Sequence, residues 1–236
     1  MRKITFAEGQ VYHIYNRGTE RREIFLADHD RCRFVNNLYY LNNSNPTVCS
    51  GESIYRQLPE SGLGVVKSPP SKIVDILAFV LMPNHYHLIL AQKVPGGISE
   101  FMHKLGTAYT MYFNKRYQHS GVLYQGRFKA ILLKRENHFN YLPFYVHANP
   151  LKLYPDSPAI SDKLRTLRGY KWSSYRDYAG LSNFPSVINR TFLDDFFESE
   201  GGFLPYMVKC LENRQNSVPE AQPPKEAEPR VMATRG

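Results

Sequence analysis

The spacing of apolar positions divides the chain into short elements separated by polar, turn-forming segments. Residues 11–17 (VYHIYNR) are rich in β-branched and aromatic side chains and stop at Gly18, which predicts a strand and a turn. Residues 28–41 place Phe34, Val35, Leu38 and Leu41 at helical spacing, with Asp28 or Asp30 as the cap. Residues 42–72 are dense in Asn, Ser, Gly and Pro and read as a long loop insertion, a length that in a compact domain is usually functional or disordered. Two apolar runs, 73–82 and 85–92, flank Pro83-Asn84 and predict an antiparallel hairpin. Residues 98–117 set Phe101, Leu105, Ala108, Met111 and Tyr112 on one stripe, with Ser99 as N-cap, so a long helix follows and Gly121 closes it. Residues 123–133 have strand composition around Gly126, which marks a bulge or a close backbone approach.

The order strand, helix, strand, strand, helix, strand predicts an α+β fold, a ferredoxin-like antiparallel sheet packed with helices. A further helix is expected over 137–149, then a basic and aromatic stretch over 164–178 and a small acidic helix over 191–200. The 236 residues suit one domain with extensions. We divide them into a domain over 1–180 that contains the 42–72 insertion, a C-terminal helical extension over 181–212, and a disordered tail over 213–236, where large apolar residues are scarce.

Charge narrows the class of partner. The net charge of +9 is confined to residues 101–180, which carry 13 basic and 4 acidic side chains. A concentrated basic stretch is the footprint of a nucleic-acid binder, because phosphate neutralisation releases counterions, although a solvated basic face would look the same. Lys115, Arg116, Arg127, Lys129, Lys134 and Arg135 in that stretch, with Arg17 at the end of the first strand, are the candidate phosphate contacts. Tyr124 and Trp172 are candidates to stack unpaired bases, although such aromatics more often belong to the core. Three scattered cysteines suggest neither a disulfide framework nor a cysteine zinc site and fit a reducing compartment. Without an apolar leader or a bilayer-length run, a cytoplasmic protein with no membrane partner is expected.

Candidate chemistry centres on the segment Met82-Pro-Asn-His-Tyr-His-Leu-Ile-Leu90. In a strand His85 and His87 project from one face, and two adjacent imidazoles can chelate a divalent ion or simply sit as a structural pair. Tyr145 and Asn149 are four apart, so a helix brings them to one face a turn apart. A tyrosine with its ordinary pKa near 10 needs activation to attack, for which a metal-polarised phosphorus is a suitable target. Tyr145 as a plain core aromatic and Tyr141 as the nucleophile both stay open at this point. Pro143 predicts a helix that starts near it or is kinked, and Pro150 makes Asn149 the last helical residue.

The MPNHYHLIL segment followed by Tyr145-Val-His-Ala-Asn-Pro150 resembles the IS200-like single-tyrosine (HUH) transposases, and more closely their REP-associated branch. Tyr15-Asn-Arg-Gly18, Asp30 with Arg33-Phe34, Tyr124-Gln-Gly-Arg-Phe128 and Trp172-Ser-Ser-Tyr175 extend the likeness in order over about residues 11–180. The resemblance implies that His85, His87 and Asn149 bind Mg²⁺ or Mn²⁺ and that Tyr145 attacks a scissile phosphate to give a 5′-phosphotyrosine. It further implies single-stranded or hairpin-forming, REP-like palindromic DNA as substrate, a nucleoid-associated location, and a monomer or homodimer whose active site works in cis or in trans. His147, two residues past Tyr145, is expected to point away. A non-catalytic DNA or RNA hairpin binder on the same fold is the rival; a zinc hydrolase would lack a general-base carboxylate near the histidines.

Overall fold

The sheet is built outward from its two inner strands. In the structure, a computed structural model that describes residues 5–44, 71–133 and 136–216, β1 (Val11–Arg17), β2 (Val74–Met82), β3 (His85–Gln92) and β4 (Lys129–Leu132) form one sheet in the order β2-β3-β1-β4, with every neighbouring pair antiparallel. Helix α1 (Asp28–Tyr40) joins β1 to β2 and α2 (Gly97–Arg116) joins β3 to β4. Each crossover skips one sheet position, which is the expected ferredoxin-like arrangement. Tyr86 on β3 meets Phe34 of α1, with ring centroids 5.0 Å apart, and Phe34 meets Tyr109 of α2 at 5.1 Å, so both crossover helices cover the Tyr86 face. Neighbouring His87 looks out from the other face.

Several predicted boundaries move for local reasons. Pro83-Asn84 does form the two-residue loop of the β2–β3 hairpin, and neither residue has positive φ. The chain after β1 holds this loop, because the Pro83 carbonyl accepts the Ile24 and Phe25 N–H groups and the Asn84 carbonyl accepts the Gly18 N–H at 2.9 Å. Neither Asp28 nor Asp30 is the N-cap of α1; Ala27 is, and Asp30 sits in the first turn and reaches back to the Leu26 and Ala27 N–H groups, both at 2.9 Å. Helix α2 begins before Ser99, at Gly97, where a Cβ would lie 2.4 Å from the Ile73 carbonyl oxygen. The last strand is shorter than 123–133, because Gly126 turns the chain at φ 89 and only 129–132 pair fully with β1. The two ends of the 42–72 segment meet, with the buried Asn42 side chain bonded to the Ile73 and Val74 backbone; residues 45–70 lie outside the described residues.

A second set of helices covers the His87 face: α3 (Glu136–Ala148), α4 (Ile160–Gly169), α5 (Tyr175–Tyr178), α6 (Thr191–Ser199) and α7 (Phe203–Asn216). Of the tail expected over 213–236, residues 213–216 belong to α7 and 217–236 lie outside the described residues. Helix α3 passes through Pro143 instead of starting there. Beside the proline, the Tyr206 hydroxyl of α7 accepts the Phe144 N–H at 3.0 Å and donates to the Asn140 carbonyl at 2.7 Å, bridging two groups that an unbroken helix pairs directly. Past Pro150 the chain does not leave the helix axis but tightens into a 3-10 turn, Asn149–Leu153.

Residues 172–174 cover the outer edge of β2, with Leu81 N–H donating to the Trp172 carbonyl at 2.9 Å and Ser174 N–H to the Phe79 carbonyl at 3.0 Å. Ser174 Oγ accepts the Phe79 N–H at 2.9 Å and shares a 2.8 Å hydrogen bond with Nε2 of the fully buried His147. Trp172 is itself buried and donates to Asp28, so it is a core residue and not a base-stacking platform. Among the described residues no helix is long and apolar enough to cross a membrane.

Two measurements probe this frame. Asp30 is fully buried and accepts the Tyr112 and Tyr117 hydroxyls, both at 2.8 Å, as well as its two backbone donors. Asp30→Ala strands all four donors and is expected to cost about 3 kcal/mol or more in urea unfolding; a loss under about 1 kcal/mol would contradict the hub. Burial lowers the His147 imidazole from 6.5 to about 3. Its contribution to stability is therefore complete above pH 6.5 and is lost as pH falls toward 3, since only the unfolded chain takes the proton. Between pH 7.5 and 5 the wild type should lose about 2 kcal/mol more than His147→Gln. Equal losses would disprove the assignment.

Candidate active site

The register of the sheet decides what the two histidines face. His87 pairs with Tyr15 and His85 with Arg17 across β1, and Tyr15 pairs with Lys129 on β4, so these side chains form one patch on the face away from α1 and α2. The imidazoles of His85 and His87 stand 5.1 Å apart, centroid to centroid, nearly perpendicular. His85 Nδ1 lies 2.6 Å from Asn84 Oδ1, and His87 Nδ1 lies 2.9 Å from Nε2 of His13. Burial holds His13 and His85 down to about 4, with Arg17 and Lys152 adding to the shift at His85. Burial also pushes His87 well below its usual value, followed by repulsion from His13, His85, Lys152 and Arg17.

Neutral rings carry one proton each, which fixes what their outer nitrogens can do. An amide oxygen can only accept, so His85 keeps its proton on Nδ1 and leaves Nε2 a lone pair. If His87 likewise donates from Nδ1 to His13, its Nε2 is also a lone pair. That Nε2 is buried and has no hydrogen-bond partner among the described residues. His13 was not picked out from the sequence. Its signal lay in the strand alternation, which puts His13, Tyr15 and Arg17 on one face.

Helix α3 brings Tyr145 onto this patch. Its ring is 5.2 Å from that of His87 and 6.1 Å from that of His13, edge-on to both. Tyr141, the competing tyrosine, is exposed and packs against Phe144 and Tyr145. Asn149 is buried beside Tyr145, with its Nδ2 donating to the Tyr145 carbonyl at 2.9 Å. Its Oδ1 accepts Nζ of Lys152 at 3.1 Å, and the same ammonium lies 4.8 Å from the centroid of the Tyr145 ring. Lys152 was missed because the helix was expected to end at Asn149, and in the 3-10 turn side chains three apart eclipse. His147 points the other way, toward Ser174, Tyr178 and Phe203, as expected.

The predicted basic residues separate into groups. Arg17 and Lys129 border the histidines, Lys129 with Nζ 5.8 Å from the Tyr15 ring centroid. Lys115 and Arg116 are exposed at the end of α2, on the opposite side of the sheet. Arg127 lines a groove of about 1030 Å³ between α2 and the 123–128 turn, with Tyr124, Asn16 and Phe128. Lys134 and Arg135 lie outside the described residues.

Residues 67–149 match the family described as "Transposase IS200 like". No curated protein matches the chain. Among solved structures the chain is similar to one described as a REP-associated tyrosine transposase bound to a REP hairpin, at 13% identity, over 78% of this chain and 88% of that one, with a TM-score of 0.45. A likeness that distant carries no argument about this protein. The sequence match stands on its own, and the matched segment is the one that holds His85, His87, Tyr145 and Asn149.

Proposed function

We propose that the chain cuts and rejoins single-stranded DNA through Tyr145, with a divalent ion held by His85, His87 and Asn149. The observation that carries the proposal is the Tyr145 ring set against His87, whose buried Nε2 lacks a partner among the described residues. A metal fits that donor set. Both histidines have Nδ1 engaged and Nε2 directed elsewhere, the arrangement of ligating imidazoles oriented by an outer partner. Among the described residues no three His, Cys, Asp or Glu side chains are grouped to hold an ion, so the Asn149 amide oxygen is the third donor at hand. Two imidazoles and an amide oxygen suit Mn²⁺ or Mg²⁺, with imidazole favouring Mn²⁺. Once bound, such an ion polarises the scissile phosphate and neutralises charge on the departing oxygen.

The protein's own groups do the rest. Helix α3 sets the Tyr145 ring against His87 and His13, and Arg17 and Lys129 in the same patch offer phosphate contacts. The Tyr145 oxygen forms a bond to phosphorus as the bond from phosphorus to the 3′ oxygen breaks. The phenol proton passes to solvent, and the departing 3′ oxygen ends as a hydroxyl. Because the 5′-phosphotyrosine conserves the ester, a 3′ hydroxyl can reverse the step without ATP. Hairpin-forming, REP-like DNA is the proposed substrate on the motif resemblance, with Arg127, Lys115 and Arg116 positioned to meet DNA away from the reacting centre.

Incubating the protein with hairpin oligonucleotides bearing single-stranded flanks, with Mn²⁺ or Mg²⁺, should give a covalent protein–DNA adduct on denaturing gels. Tyr145→Phe should abolish it, and the double variant His85→Ala, His87→Ala should lower it at least a hundredfold. An adduct that persists in Tyr145→Phe would move the nucleophile to another residue, and no adduct with wild type would leave a hairpin binder as the better description. His13→Ala is expected to weaken Mn²⁺ binding by about tenfold or more in calorimetry on DNA-free protein. Unchanged affinity would remove His13 from the site.

A further inference from the structure

We propose that Lys152 is a gated cation of the active site: without metal its ammonium is parked on Asn149 Oδ1, and when an ion takes that oxygen it is released to the Tyr145 oxygen and the scissile phosphate. The inference rests on the proposed metal site, because it concerns the same amide oxygen. An ammonium 3.1 Å from Asn149 Oδ1 and a divalent ion bound to that same oxygen would be like charges in close proximity, so the ion drives the ammonium off. Asn149 cannot turn away to serve both, since its Nδ2 is tied to the Tyr145 carbonyl at 2.9 Å.

What the ammonium does next follows from its surroundings. It lies 4.8 Å from the centroid of the Tyr145 ring, the side chain whose oxygen must carry developing charge. Arg17 and Arg214 both repel it, and among the described residues no carboxylate forms an ion pair with it. A Lys152 ammonium with no carboxylate partner among the described residues attracts an anion, and the anion of this reaction is a DNA phosphate. The lysine side chain is otherwise exposed, so its head can swing without repacking the core.

The two roles predict opposite signs for one substitution. Lys152→Met removes the competitor for Oδ1 and the cation beside the nucleophile while keeping the length of the side chain. Calorimetric titration of DNA-free protein with Mn²⁺ should show the variant binding several-fold tighter than wild type. At saturating Mn²⁺ its rate of adduct formation on a hairpin oligonucleotide should fall by about a hundredfold, the scale of losing one donor to a developing charge. Lys152→Arg should retain more of the rate than Lys152→Met. Unchanged or weaker Mn²⁺ binding, or a wild-type rate at saturation, would overturn the proposal while wild-type binding and adducts keep the parent mechanism intact. If wild type itself neither binds Mn²⁺ nor forms adducts, the parent mechanism fails first and this one with it.

Discussion

The hydrogen-bond chain from His147 through Ser174 to the Phe79 backbone fixes where the tyrosine helix lies on the sheet. Phe79 belongs to β2, β2 is paired with β3, and β3 carries His85 and His87, so the chain links the two halves of the site through continuous backbone pairing. His147 and Tyr145 are neighbours but one in α3, and anchoring one inward holds the other over the histidines. The bond is buried, where an unmet partner would cost more than in water, and that cost keeps the helix in place. Tyr206 adds a second tie at the proline, where α3 is short of its own backbone bonds.

Around this frame buried imidazoles are ringed by cations. Three buried or nearly buried imidazoles are held neutral by desolvation, while Arg17, Lys129 and Lys152 supply positive charge around them and Arg214 adds to it at Lys152. Neutral imidazoles among cations offer lone pairs to a metal and attraction to a phosphate. The left-over charge is what a polyanion would satisfy. The basic stretch of the sequence therefore matters less as a total than through the few members that the sheet register turns inward.

Much of the fold was legible because the pattern of apolar positions is strong where both faces of a strand or one stripe of a helix are buried. The hairpin at Pro83-Asn84, helix α1 and helix α2 followed directly from it. Boundaries were less legible where a single residue outweighs periodicity. Gly126 turns the chain inside a run of good strand formers, and Tyr206, some sixty residues downstream of Pro143, meets backbone groups that the proline disturbs. Trp172 stood open between a stacking surface and a core aromatic because composition does not report burial, and the structure buries it. The WSS segment closing the β2 edge had no local signal at all.

At the site the same division holds. The sequence alone determined that His85 and His87 share a face, that Tyr145 and Asn149 lie a turn apart, and that a transposase resemblance connects them, since each depends on spacing within one element or on a motif. The tertiary structure decided that His13 meets His87, that Tyr145 and not Tyr141 stands over the pair, and that Lys152 reaches Asn149. The first two depend on cross-strand register and on how α3 docks, and these are set by contacts between residues far apart in the chain. The third depends on the turn after Pro150 tightening instead of ending, a choice made by packing and not by the local propensity of the residues in it.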